Sequence, residues 1–191
     1  MRCVKSMLGV LVLVCCSASV LAQMPPQPPA KTPGDALNAV LNIAKSEFVS
    51  AADAMPEDKY SFAPTTGEFK GVRTFAEQVK HVAAVNYIFG ASILQEKPPV
   101  DTGEEKGPAT AKSKAEIMKF LNDSFAYLHK ALDSISDKNQ LDQITVFGEM
   151  KMARLSVGSF SAAHPMDHYG QMVVYLRMNG IVPPASRPQS K

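Results

Sequence analysis

Four stretches of the chain repeat apolar residues at helical spacing, and each is bounded by residues that start or stop helices. In the first, Leu37, Val40, Leu41, Ala44 and Phe48 recur three or four positions apart, predicting a helix from a Gly34–Asp35 cap to about Met55. Thr74 and Glu77 stand in capping-box register ahead of a second stripe: Phe75, Val79, Val82, Val85, Phe89 and Ile93. Ser113 and Glu116 repeat that signal before a third, with Ile117, Phe120, Leu121, Leu128, Leu132 and Ile135 on its apolar side, ending near Asp137 to Asn139. A fourth helix is expected from about Met152 to Asn179. Gly180 is placed to end it, and Pro183 and Pro184 bar its continuation.

The connections are unequal. Residues 56–70 hold two prolines, a glycine and isolated aromatic rings, which predicts an ordered loop whose rings dock on the helices. Residues 97–112 are polar and carry Pro98, Pro99, Gly103 and Gly107, as expected of a mobile connection. Ile144 to Lys151 is rich in β-branched residues, but a lone strand would have nothing to pair with. It is therefore read as a loop leading into the last helix. No internal repeat or second domain is visible. Four long helices without a convincing sheet make an all-α four-helix bundle over residues 34–186, and the uneven loops argue against a simple up-and-down arrangement.

The first 22 residues change the picture of the rest. Arg2 and Lys5 precede a largely apolar run from Met7 to Cys16, and Val20-Leu21-Ala22 offers small or modest side chains for cleavage, the pattern of an export signal. The run is too short to span a bilayer comfortably, which takes about 20 residues. Bulky Val14 before Cys15, and a cysteine before Cys16, disfavour a lipidated cysteine. All three cysteines (Cys3, Cys15, Cys16) lie in this segment, so the mature chain would be free of thiols and disulfides. Removing Arg2 and Lys5 also lowers the basic count from 20 to 18, equal to the 18 acidic residues. With no net charge and no basic patch, nucleic acid is excluded as an expected partner. A proline-rich linker, residues 23–33, leads into the bundle, and a short tail, 187–191, follows it.

The candidate chemistry lies in the histidines. His164 and His168 are four apart on the last helix and project from one face, shared with Met172, Tyr175 and Asn179. That face points into the bundle, where two unpartnered imidazoles are costly to bury. His81 sits at the edge of the second helix's apolar stripe. Three imidazoles could hold one metal ion and leave coordination positions open. Each residue also has a plainer role: a histidine pair at this spacing arises by chance, and His81 suits an ordinary boundary position. Glu77, one turn before His81, could orient it. Asp167 points elsewhere on its helix, and His129 is read as a flank or surface residue. Met150, Met152, Met166, Met172 and Met178 are read as core packing. Pro165, directly after His164, predicts a kink or a helix restart at that point.

Two runs resemble the DinB-like (YfiT-like) superfamily of metal-dependent enzymes. One is Met55 to Thr65 followed by His81-Val82-Ala83-Ala84-Val85-Asn86-Tyr87; the other is His164 to Arg177 followed by Met178 to Pro184. The resemblance covers about Asp35 to Ser186. It implies a four-helix bundle with up-down-down-up connectivity. It also implies a divalent metal, zinc or nickel, held by His81 of the second helix and by His164 and His168 of the fourth. Pro165 departs from the helical residues commoner in the family. Characterised relatives include thiol transferases and a thiol-dependent isomerase. Their small cytoplasmic thiols are scarce outside the cell, so thiol transfer does not carry over to an exported chain.

Two functions remain open on this reading. The first is a metal-dependent hydrolase or transferase acting on a small molecule, with Tyr60, Tyr87 and Tyr169 weighed as proton donors against plain packing roles. The second is a non-catalytic metal- or ligand-binding envelope protein, including a homodimer formed through an exposed helical face.

Overall fold

The computed structural model describes residues 29–188; the export signal read at 1–22, most of the proline-rich linker and the last three residues of the tail lie outside them. Four helices carry the fold: α1 (Pro33–Ala54), α2 (Phe75–Leu94), α3 (Lys114–Asp133) and α4 (Arg154–Met178). A small antiparallel hairpin, β1 (Gln143–Val146) and β2 (Met150–Ala153), precedes α4. Among the described residues no helix is long and apolar enough to cross a membrane.

Capping boxes begin α1, α2 and α3. Thr74 and Ser113 accept hydrogen bonds from the amides of Glu77 and Glu116, and those glutamates accept in return from the cap amides. For α1 the cap is Thr32. Its hydroxyl accepts from the Asp35 amide, while the Asp35 carboxylate accepts from the Thr32 amide. The Gly34–Asp35 cap read from sequence is therefore two residues late. Pro33 opens the helix, where a missing N–H costs nothing.

Named contacts set the direction of each helix. The start of α1 meets the end of α3, where the Gly34 amide donates to the Ile135 carbonyl. Lys114, at the start of α3, pairs with Asp53 at the end of α1. These two helices are antiparallel. Asn86 of α2 donates to Ser124 of α3, and further along Gly90 lies against Tyr127, so α2 and α3 run in the same direction. Gln78 meets Gln171 while Phe89 meets Phe160, so α2 and α4 are antiparallel. The order is up-down-down-up. Because α2 and α3 run parallel, the segment between them must return along the whole bundle, which explains the long 95–113 connection.

The predicted stripes form the core. Leu41, Ala44 and Phe48 from α1, all six stripe residues of α2, and Ile117, Leu121, Leu128 and Leu132 from α3 are buried. The exceptions are Val40, half exposed on the outer side of α1, and Phe120, partly buried on α3. Helix α2 is buried nearly all round, from His81 through Tyr87, as an apolar helix must be when flanked on every side. Ala83, Ala84, Gly90 and Ala91 let its neighbours approach; a Cβ at Gly90 would press into the Tyr127 ring. Phe48 and Phe125 meet at the centre, with ring centroids 6.5 Å apart and neither exposed. Phe125→Ala should lower stability by about 3–5 kcal/mol, the usual cost of a cavity left by a buried phenylalanine. A urea unfolding curve of the variant against wild type measures it.

The loop after α1 docks through two of its three rings, Phe69 being exposed. The Tyr60 hydroxyl donates to the Ala52 carbonyl, and its ring meets Phe75 edge-on, while Phe62 meets Tyr175. Three sequence readings change. Residues 144–151 form most of a hairpin, since the chain pairs with its own continuation across the turn Phe147-Gly148-Glu149, with Phe147 and Gly148 left-handed. A three-residue turn with a left-handed glycine is a standard hairpin connection. Of the five methionines assigned to the core, only Met172 is buried; Met150, Met166 and Met178 are exposed. Helix α4 is continuous through Pro165, with no restart there. His164 and His168 therefore share one uninterrupted helix.

Candidate metal centre

His81 reaches the site from α2, and His164 and His168 from adjacent turns of α4. Because these helices are antiparallel neighbours, residues remote in sequence face one another. The His81 ring centroid lies 5.3 Å from that of His164 and 4.8 Å from that of His168, and the latter two are 4.6 Å apart. One nitrogen from each ring lies within 4.8 Å of the other two. His81 and His168 are buried and His164 is partly so. All three histidines predicted as ligands are thus brought together.

The outer nitrogens identify the inner ones. The His81 Nδ1–H donates to the Glu105 carbonyl oxygen at 2.9 Å, and the His168 Nδ1–H donates to Gln78 Oε1 at 2.6 Å. The Gln78 amide is itself fixed, because its Nε2 donates to Gln171 Oε1 at 2.8 Å. Both histidines are thereby held as the tautomer whose Nε2 carries a free lone pair. His164 has no partner for its buried Nδ1, and its Nε2 lies 3.2 Å from Nε2 of His168. Two imidazole nitrogens bound to one ion at about 2.0–2.1 Å stand roughly 2.8–3.4 Å apart for octahedral to tetrahedral angles. The His164–His168 separation fits that range, and the His81 nitrogen lies within 4.8 Å of both, so the donor set suits a divalent cation in its chemistry and brings two of its nitrogens to coordination spacing.

Electrostatics prepare the same outcome. Burial is the main reason that the histidines resist protonation. It brings His164 down to about 3, helped by His168, His81 and Arg73, and His168 down to about 4, helped by His81 and Arg73. His81 is also lowered, first by burial, although its bond to Glu105 opposes the shift. Neutral imidazoles are the form that binds a metal.

Several supporting residues were not visible as such in the sequence. Gln78 orients His168, and the backbone of Glu105 orients His81. Glu77, the expected orienter, is instead committed to the α2 cap with Thr74. The connection at 97–112 reaches the site itself: Gly103, Glu104 and Glu105 are all left-handed, with φ of 54°, 52° and 70°. Such geometry is uncommon for glutamate and clusters at functional sites; here it presents the Glu105 carbonyl to His81. On the other side Phe89 and Phe160 pack their rings against His164, and Phe147 packs on Phe89, forming an apolar flank with Phe147 and Phe160 partly exposed.

The tyrosines weighed as proton donors have partners elsewhere. Tyr60 is bound to Ala52, Tyr87 stacks on Phe120, and Tyr169 engages Glu47. His129 takes the flank position of the two read for it. It is half-buried between α3 and α1, with Nδ1 2.7 Å from Asn38 Oδ1.

Gln78→Leu keeps the volume but removes the acceptor from His168. Metal affinity should fall about 10–100-fold, as for lost groups that orient metal-bound histidines. Competition titration against a chromophoric chelator would show it.

The sequence pattern of the DinB superfamily matches residues 41–172, which include all three histidines, and the chain belongs to that superfamily. Among solved structures it is similar to the DinB-like protein YjoA of Bacillus subtilis, with 15% identity and a TM-score of 0.61, over 80% of this chain and 99% of that one. A DinB-like protein of Bacillus cereus shares 17% identity at a TM-score of 0.56, covering 77% of this chain and 95% of its own. YfiT of Bacillus subtilis, described as a probable metal-dependent hydrolase with an unusual four-helix bundle topology, shares 15% identity at a TM-score of 0.56, over 83% and 94% of the two chains. At these identities the likeness is one of fold. No curated protein sequence matches the chain.

Proposed function

We propose that this protein is a metal-dependent hydrolase or transferase acting on a small molecule, with a divalent cation held by Nε2 of His81, His164 and His168. The observation that carries the reading is the convergence of three neutral imidazoles, two of them locked by Gln78 and Glu105 so that their lone pairs face inward. Zinc and nickel are the metals we favour, since both suit all-imidazole coordination. With three protein ligands, a bound ion would keep positions open to substrate and supply Lewis acidity toward a substrate oxygen or thiol, lowering that group's pKa. The chain's own part is to hold the rings rigidly, keep them unprotonated, and exclude water on the side of Phe89, Phe147 and Phe160.

The N-terminal pattern, a basic start followed by an apolar run that contains every cysteine, supports export before the protein acts. A second reading, metal or ligand binding without turnover, is favoured by one feature. The side chains packed on the histidines are Gln78, Phe89 and Phe160, and none of these is a general base. Elemental analysis of untagged protein, followed by hydrolysis and thiol-transfer assays with zinc and nickel restored, tests the proposal. About one ion per chain and turnover that disappears in His168→Ala would support catalysis. Equal turnover by wild type and variant would leave only the binding role.

A further inference from the structure

Beside the histidines, a cleft of about 610 Å³ opens between the start of α2 and the 101–109 segment, and its walls carry Arg73, Lys80 and Lys106. None of these three cations takes part in an ion pair among the described residues. Two carboxylates, Glu77 and Asp101, also line the cleft, held within their own segments by Thr74 and by the Gly103 amide, so the three cations leave an excess of one positive charge. Unpaired positive charge in a concave site concentrates small anions.

Two features tie the cleft to the metal centre, although the histidines themselves do not line it. Glu77, Lys80 and His81 lie within little more than one turn of α2, and Arg73 directly precedes the Thr74 cap, so the cationic wall borders the turn that carries His81. The opposite wall, with Gly103, Lys106 and Gly107, belongs to the segment whose Glu105 carbonyl holds the His81 ring. We infer that this cleft binds the oxyanion group, carboxylate or phosphate, of a small molecule whose remainder reaches the three histidines. The inference rests on the reading of those histidines as the reactive centre, and it names the substrate class as a small organic anion. The glycines fit this role: left-handed Gly103 lies so close to Gly107 that a Cβ there would collide with the Gly107 carbonyl, which keeps the cleft wall thin.

The test uses the purified, metal-free protein, so that it does not depend on the metal. Inorganic phosphate and succinate are titrated separately while backbone amide NMR shifts are followed. Saturable shifts concentrated in 71–74 and 101–109 are expected, with affinity at least ten-fold weaker in the double variant Arg73→Gln/Lys106→Gln. Both side chains are exposed in the parent, and Lys106→Gln alone, at least three-fold weaker, serves should the double variant misfold. The tighter of the two probes identifies the oxyanion. Shifts that never saturate, that lie elsewhere, or that survive in the charge variants overturn the inference. Metal binding without anion binding would sink the cleft alone, whereas anion binding without metal binding would sink the metal centre and leave the cleft as an anion site.

Discussion

His168→Ala is expected to fold like the parent and to bind zinc or nickel more than about a hundred-fold less tightly. The loss should exceed the 10–100-fold that follows removal of an orienting neighbour. His168 is the best-held of the three rings, with Gln78 and Gln171 behind it and the His164 nitrogen 3.2 Å in front. Without it, His81 and His164 remain on separate helices with one fixed and one unpartnered ring, a poor two-point site. In metal-free protein the same substitution removes a buried imidazole, so its effect on stability should be far smaller than its effect on affinity. Metal competition titration beside thermal melts of the apo forms separates the two. Unchanged affinity would mean that the three rings are a packed cluster and not a ligand set.

Lowering the pH should destabilise the metal-free protein well before the carboxylates titrate. The histidines titrate near 6.5 when unfolded, whereas burial holds His164 at about 3 and His168 at about 4 in the fold. Between those limits the unfolded chain binds more protons than the folded one, so stability is fully present above about pH 6.5 and falls as pH drops toward the folded values. Each such histidine contributes up to about 1.4 kcal/mol per pH unit in that window, or roughly 2 kcal/mol by pH 5. Denaturant midpoints of the apo protein from pH 8 to pH 4.5 would show this slope. Added metal should move the acid transition to lower pH, because protons must then displace the ion. A flat apo profile down to pH 5 would show that the rings are far better solvated than their burial implies.

Much of this fold is written in apolar spacing. The six stripe residues of α2 and the capping pairs Thr74–Glu77 and Ser113–Glu116 mark elements whose local chemistry agrees with their tertiary role. The readings that failed depended on what the chain meets in space. Residues 144–151 carried a strand-like composition, but their pairing partner was their own continuation, reached through the left-handed pair Phe147 and Gly148. Pro165 allowed either a kink or a restart, and the restart is excluded because buried Pro165 lies inside a continuous α4. The exposed methionines show that helical spacing alone does not say which face a neighbour covers.

The site divides along the same line. His164 and His168 were legible as a pair because an i, i+4 spacing is local. The meeting with His81 rested on family resemblance, since no local pattern joins α2 to α4. Gln78 was hidden because a glutamine within an apolar stripe carries no signal until its partner is known. The Glu105 contribution comes from a backbone carbonyl, which any residue type could have supplied, and is held in place by left-handed geometry that glutamate does not advertise.

X-ray absorption at the metal edge of protein loaded with one equivalent of zinc or nickel bears most directly on the central claim. Three imidazole nitrogens at about 2.0–2.1 Å, completed by oxygen ligands, is the predicted spectrum, and it should lose imidazole scattering in His81→Ala as well as in His168→Ala. A spectrum without three imidazoles, or one indifferent to His81, would contradict it.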